Sequence, residues 1–411
     1  MSEQPREPQE QRPPINLVRW LVRTVVITTC VLLLIGGVCL MSRYMANRRL
    51  MTLAKPTNPS DGDVSFGWDG PQFDWLDRRI GSEHSFALLC QPSSLIIQGR
   101  NTHFTDASIL SMLRESSGMK QIWIHGHDLP SGALEAIATR HPIEVLDIRL
   151  NEISQNDAKW LSRMAQLKQL NINQLDRESR ANDWSWLKSL PKLESLGTTI
   201  NGAVDRDVIA LSECPSLKTL TLLGESFTDD ALCRLGDLPQ LEYLTLVGPQ
   251  IHLRFPNGGM LPASLRGLEL EKIAIADDSL AAIADLPQLN RVSISGGTVT
   301  DAGLEILARL PAIEELRLDG LKQITDDGLK ALRSNKSLRL ITVHNCGTTS
   351  QALIHLVSIP NWVDIGFERV HFIRESGAAV PALTPETVDD FIFQSRVMQE
   401  ARDSARREIL P

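Results

Sequence analysis

Nine times along the chain the apolar residues fall into one arrangement, L-x-x-L-x-L, whose first positions are 143, 167, 193, 217, 241, 265, 289, 313 and 338. The spacings are 24, 26, 24, 24, 24, 24, 24 and 25 residues. Weaker copies extend the series upstream to Met119 (MKQIWI) and Pro92 (PSSLII), and downstream to Trp362 (WVDIGF). Residues 217–240 show what one unit predicts. Leu220 and Leu222 alternate with Thr219, Thr221 and Leu223, as in a short strand with one buried face. Gly224 turns the chain, and glycine recurs at that place as Gly99, Gly126, Gly248, Gly296 and Gly320. Phe227 points back to the core. Thr228 and Asp229 suit the free N–H groups and positive end that open a helix. Leu232, Leu235 and Leu238 then recur every three residues along one helix face, and Pro239 ends it. The same Thr-Asp pair opens helices at Thr105-Asp106, Thr300-Asp301 and Thr325-Asp326, where capping is the role expected of it.

One unit cannot fold alone. It buries about seven aliphatic side chains, worth roughly 10–20 kcal/mol, whereas ordering its backbone costs on the order of 1–2 kcal/mol per residue. Stacked units cover each other's apolar edges and extend a parallel sheet, so the array must be continuous. About twelve units are expected between residues 92 and 373.

With a period in this range, LTLLGESFTDDALCRL, VSISGGTVTDAGLEIL and LRLDGLKQITDDGLKAL resemble the T-D-x-G-L class of leucine-rich repeats. That class includes ribonuclease-inhibitor-like and F-box-associated proteins and many bacterial paralogues. The Asn or Cys of the family consensus is present as Asn151, Asn201 and Cys346 but is usually replaced, so the asparagine-ladder version is not what the chain resembles. The resemblance covers about residues 92–370. It implies an α/β fold: a right-handed β/α solenoid or horseshoe, with a parallel concave sheet, short convex helices and a binding role. FDWLDRRIG at 73–81, followed by Phe86, is similar to the cap helix of bacterial membrane-anchored members, so residues 73–91 are expected to cap the array.

Other segments depart from the rhythm. Residues 173–192 carry two extra residues and the pair Trp184 and Trp186, and 248–264 keep the length but lose the Thr-Asp start. The latter unit is expected to replace its helix with irregular or 3₁₀ backbone; both departures read either as binding features or as drift on a tolerant surface. Residues 374–411 read as a C-terminal helix or tail that caps the last unit or engages a partner or membrane surface.

The N-terminus changes the picture more. Residues 24–42, TVVITTCVLLLIGGVCLMS, are free of charge and bracketed by Arg23 and Arg43. At ~1.5 Å rise per residue such a run spans a bilayer core. We expect a disordered tail at 1–20, a transmembrane helix at 21–43 and a Pro/Gly-rich linker at 44–72. A cleaved signal peptide fits less well, because 23 residues precede the run and no small-residue cleavage site follows it. Basic residues are nearly balanced on the two sides, so the positive-inside rule does not decide orientation; export of the large domain is the working expectation.

Charge and chemistry narrow the function. A net charge of −8 argues against nucleic acid as partner. The six cysteines form no CxxC pair. No G-x-S-x-G, H-E-x-x-H or P-loop occurs. His125-Gly126-His127-Asp128, with His103 one unit upstream, is the nearest approach to a metal site and lacks convergent spacing. No metal, cofactor or small-molecule substrate is therefore expected, and no enzymatic activity. Binding is better placed. The residues between the leucines form columns on the open sheet face, and two patches stand out there: Trp123, His125, Asp147 and Arg149 near the N-terminal end, and Tyr243, Glu269, Arg291, Glu315 and Arg317 farther along. Trp, Tyr and Arg dominate interface energies. The expected function is a membrane-anchored recognition module with a protein, or polysaccharide, ligand on the concave sheet. The alternative is a scaffold assembling through its convex face or C-terminal helix.

Overall fold

The computed structural model describes residues 28–29, 41–50, 64–69, 91–98, 105–126, 128–150, 153–174, 184–199, 205–223, 228–248, 261–367, 370–373, 383, 387–392 and 395. Fourteen strands form one sheet in strict chain order. They are β1 (Val64–Asp69), β2 (Gln91–Ile97), β3 (Gln121–Ile124), β4 (Val145–Leu150), β5 (Gln169–Gln174), β6 (Ser195–Thr199) and β7 (Thr219–Leu223). The series continues through β8 (Tyr243–Val247), β9 (Gly267–Glu271), β10 (Arg291–Ser295), β11 (Glu315–Asp319), β12 (Leu340–His344), β13 (Asp364–Phe367) and β14 (Val370–Ile373). From β2 to β13 every pairing is parallel, and the partners sit one repeat apart: Leu220, Leu244, Leu268, Val292, Leu316, Ile341 and Ile365 form one buried row. Between strands, short helices such as Asp106–Glu115, Asp205–Ser212 and Asp301–Ala308 return the chain. The core is the single layer of aliphatics between sheet and helices, and it includes Leu232, Leu235 and Leu238 as the period requires.

Both ends of the parallel sheet are closed by an antiparallel strand. β14 doubles back on β13, so the series expected to run on to residue 373 turns over after Phe367. At the other end β1 pairs with β2, with a register shift at Gly67/Trp68, although its sequence lies inside the expected linker at 44–72. The glycines at 62, 67 and 70 read as linker punctuation. In the fold Phe66 packs against the core, and Gly67 falls where the pairing shifts, which is where glycine serves a bulge. The sheet edges are thereby moved to two short antiparallel strands of six and four residues, and short edges are poorer templates for another chain. Residues 41–50, also largely in the expected linker, are helical, with Asn47 and Leu50 buried. Most of the expected membrane span at 21–43, the tail at 1–20 and the cap at 73–91 lie outside the described residues. Among the described residues no helix is long and apolar enough to cross a membrane. Near the C-terminus, residues 388–392 are helical, Val388 is fully buried, and Leu383, Phe391 and Ile392 pack on the core.

Register explains why the T-D-x-G-L sequence recurs. Thr105, Thr228, Thr300 and Thr325 each accept a hydrogen bond from a backbone N–H in the first turn of their helix, as capping requires. The aspartates do more than complement the helix. Asp277 accepts from both the N–H and the hydroxyl of Thr300 in the following repeat (2.9 and 2.6 Å). Asp301 does the same to Thr325 (2.8 and 2.7 Å), Asp326 to Thr349 (2.8 and 2.5 Å) and Asp205 to Thr228 (2.8 and 2.6 Å). The result is a ladder that joins consecutive helix starts. Its carboxylates lie against Gly303 and Gly328, where any Cβ would collide with Asp277 and Asp301 respectively. Glycine is therefore required for room, not for backbone freedom. Backbone freedom matters one turn earlier: Gly126, Gly296 and Gly320 have φ of 84°, 83° and 72°, and Lys272 and Asn345 take the same place at 57° and 54°.

Two further features concern the irregular units. Trp184 and Trp186 lie in a 3₁₀ helix, Trp184–Ser189, both buried with ring centroids 5.9 Å apart, so they fill the core of the long unit. Most of 248–264, residues 249–260, lies outside the described residues. Along the position preceding each strand, Lys168 pairs with Glu144 (2.8 Å), Lys218 with Glu194 (2.9 Å) and Arg266 with Glu242 (3.6 Å). Such exposed pairs contribute little stability individually but favour one register over its neighbours.

Candidate functional site

Because the strands are in register, every second residue of each strand projects to the face opposite the helices. The central column runs Ile96, Trp123, Asp147, Asn171, Gly197, Thr221, Thr245, Glu269, Ser293, Arg317, Thr342 and Gly366. It is flanked on one side by the column containing Tyr243, Gly267, Arg291 and Glu315, and on the other by the column containing Glu271, Ser295 and Asp319. All nine candidate residues therefore lie on this face or at its rim. What each touches differs between the two patches.

The second patch comes together as one unit. Tyr243, Glu269, Arg291, Glu315 and Arg317 line the same depression, with Thr245, Gly267 and Ser293 between them and a volume of about 130 Å³. Glu315 is its centre: only 4% exposed, with one carboxylate oxygen 2.6 Å from Arg291 Nε and the other 2.6 Å from Arg317 Nη2. The Arg317 contact is a close ion pair, but that oxygen (Oε1) receives no aligned hydrogen bond. The two guanidiniums remain well exposed, so Glu315 acts as a buried post that holds both arginines at the surface. Removing either arginine would leave the Glu315 carboxylate undercompensated in a poorly solvated place. Tyr243, 40% exposed, lies over Gly267, where a Cβ would come within 2.6 Å of its ring. The absence of a side chain on β9 is what lets the ring settle beside Arg291. Glu269 accepts from the Thr245 hydroxyl at 3.3 Å.

The first patch divides. Asp147 gathers the amides of Asn171 (3.1 Å) and Asn173 (3.4 Å), and His125 Nε2 stands 3.9 Å from its carboxylate. Trp123 is Asp147's register neighbour. Arg149, however, turns to Asp128 at 3.2 Å and lines a separate polar depression with Asp106, Gly126 and Ser131. Its position on the strand is as expected; the loop carboxylate draws it away from the other three. Asn171 and Asn173 belong to this cluster and were not among the candidates. Their polar column positions were the available signal, but only the register shows that both amides reach one carboxylate. Asn171 also occupies the space over Gly197, where a side chain would collide with its carbonyl oxygen. Beside the His125–Asp147 pair stand Trp123, Asn171 and Asn173, none of them a nucleophile; the cluster can donate, accept and stack. His127 and His103 lie outside the described residues.

Neither a protein-family model nor a curated protein matches this sequence. Solved structures align with it at low identity. An internalin from Listeria monocytogenes aligns with 16% identity and a TM-score of 0.38, over 66% of this chain and 86% of that one. A structure described as the TLR13–ssRNA13 complex aligns with 18% identity and a TM-score of 0.44, over 64% of this chain and 37% of that one. At these scores the likeness carries no argument; the reading of the chain as a leucine-rich solenoid stands on its period and register.

Proposed function

We propose that this chain is a membrane-tethered, non-catalytic recognition module that binds a protein on the open face of its parallel sheet. The observation that carries the reading is the convergence of Tyr243, Glu269, Arg291, Glu315 and Arg317 on one depression, with a buried carboxylate presenting two arginines beside an exposed tyrosine. Large, pre-positioned aromatic and guanidinium groups are the types on which interface energies concentrate, and ordering them in advance lowers the cost of binding. The tether rests on the uncharged run at 24–42, and export of the solenoid remains part of the proposal.

The test is site-specific photo-crosslinking in membranes. A photoreactive residue replacing Thr221 or Thr245 should yield a discrete protein adduct, one that disappears on adding Tyr243→Ala and Arg317→Glu. Adducts from a helix-side position such as Glu305 alone would overturn the proposal. A reporter fused after Pro411 and active on only one side of the membrane decides the orientation.

A second reading, assembly through the helix side, is favoured by one observation. Trp160 is only partly buried there and lies under two cations, Lys159 at 5.6 Å and Arg163 at 4.6 Å from its ring centre. Under it, crosslinks would arise from positions around Trp160. Point changes are the better probe of this reading than deleting 384–411, since that deletion removes the buried Val388 and would disturb the end of the core.

A further inference from the structure

The outward positions of the sheet divide sharply by charge. Those of β5–β8 hold amides, hydroxyls, glycine, Tyr243 and aliphatics, with no charged residue. Those of β9–β13 hold Glu269, Glu271, Glu315, Asp319 and Asp364 against Arg291 and Arg317. Five carboxylates facing two guanidiniums leave this half of the face net negative. The arginines do not compensate freely, because both are already held by Glu315.

Shape follows the same division. Beyond Arg291, β10 presents Ser293 and Ser295, and these small side chains help to floor a groove of about 480 Å³. Glu269 and Glu271 on β9 form one side, Arg317 and Asp319 on β11 stand across from them, and the groove continues to Thr342 and His344 on β12 and Asp364 on β13. Glu269 is engaged by the Thr245 hydroxyl, and Glu271 shares Lys272 at 3.6 Å, a weak exposed contact. The buried Glu315 lines the same groove with both oxygens held by the arginines, so the exposed carboxylates are the ones a ligand can reach.

We propose that the groove over β10 takes a basic segment of the protein partner, with a lysine or arginine side chain lying over Ser293 and Ser295 between the carboxylate walls. This specifies the partner chemistry of the recognition role proposed above and rests on it. Three features support the choice of a cation. This half of the sheet is net negative, a long cationic side chain can donate to Glu269, Glu271 and Asp319, and an anion would meet those carboxylates with both arginines already committed to Glu315.

The experiment is fluorescence anisotropy with the full-length chain in detergent, using a labelled Lys-Ser repeat peptide and a Glu-Ser repeat of equal length as probes. The Lys-Ser peptide should bind and weaken as salt is raised. The combined change Glu269→Gln, Glu271→Gln and Asp319→Asn should weaken it about tenfold or more, since several exposed charge contacts are lost together. A charge-matched control on the helix side, Glu135→Gln, Asp285→Asn and Glu305→Gln, should leave it within about twofold. Equal weakening in both variants would mean attraction to the overall negative charge and would overturn the proposal. Preference for the Glu-Ser peptide, or no Lys-Ser binding to the wild type, would also overturn it. Crosslinks from Thr221 or Thr245 would persist in those cases if the broader recognition role is right, so the two failures are separable.

Discussion

The Asp–Thr ladder makes a quantitative prediction about coupling between repeats. Asp301→Ala removes two charge-assisted hydrogen bonds, from Thr325 N–H and Thr325 O–H. Bonds to charged groups contribute about 1.5–3 kcal/mol when buried. Here they are exposed, and water replaces the lost acceptor, so each falls below that range. Adding the loss of a carboxylate from the first turn of Asp301–Ala308, worth about 0.3–1 kcal/mol, the change should cost about 2 kcal/mol. Asp301→Asn keeps one acceptor and should cost about half as much. Gly328→Ala should destabilise the wild type, since its Cβ would collide with the Asp301 carboxylate. In the Asp301→Ala background that obstacle is mostly gone, and the gain in helix propensity, about 1 kcal/mol, comes into view. The double variant should therefore be more stable than the sum of the singles by about 1–2 kcal/mol. Denaturant unfolding measures the cycle. Amide exchange at Thr325 and neighbouring helix starts reports it locally, which matters because a long array need not unfold as one unit. Additive effects, or a cost below about 0.5 kcal/mol for Asp301→Ala, would show that the ladder is decoration on a sheet that holds register without it.

Ala276 stands where the following repeat has its capping Thr300; its backbone is extended but no side chain caps Asp277–Leu280, so Ala276→Thr should stabilise by about 0.5–1 kcal/mol in thermal or urea unfolding. Burial pushes the Cys214 thiol up to about 11, with Glu213 adding to the effect, so a thiol reagent near neutral pH should leave it unmodified in the folded protein and label it on denaturation; rapid native labelling detected by mass spectrometry would contradict the burial. His141 is buried, with Nδ1 accepting from Met119 N–H (3.3 Å) and Nε2 facing Leu113 C=O (3.0 Å). Burial, together with Arg140 and only partly offset by the Leu113 carbonyl, holds its pKa below the ordinary value of 6.5. The unfolded chain thus takes up the proton first: stability is full above pH 6.5 and is lost as pH falls from there to the lowered native value. His141→Asn should flatten that dependence while lowering stability at neutral pH by about 1–2 kcal/mol, and an unchanged slope would exclude His141 as its source. His355, lowered by burial and by Arg333 and Lys330, contributes a slope of the same sign that survives the substitution.

The architecture was legible because one physical requirement recurs. A strand that buries alternate leucines and a helix that buries every third must appear together in each unit, and a register of one repeat then follows from stacking. The columns on the open face follow from the same period, and the register runs the central one from Ile96 to Gly366. What lies outside the period was not legible. β1 and β14 are antiparallel additions with no copy elsewhere in the chain, and β1 hides among glycines that punctuate a linker equally well. The tryptophans of the long unit read as a binding feature or as drift on a tolerant surface, whereas the 3₁₀ backbone turns both inward.

Contacts between repeats explain the remaining gap, and they explain it in one way. Within a single unit Asp301 sits beside its own Thr300, so the sequence presents a helix cap; its actual partner is Thr325, in the next unit. Tyr243 owes its position to the missing side chain at Gly267, one strand away, and Arg291 and Arg317 owe theirs to Glu315. Arg149 shows the converse: its column position was right, but Asp128 competes for it and wins. A column position is set by backbone register, which periodicity specifies, whereas the direction of a long polar side chain is set by whichever opposite charge or empty space adjoins it. In a solenoid those neighbours are a full repeat distant in sequence. Site reasoning for such chains therefore gains most by reading residues across units, at the same place in successive repeats, where an aspartate before a threonine, or a tyrosine before a glycine, becomes a predicted contact.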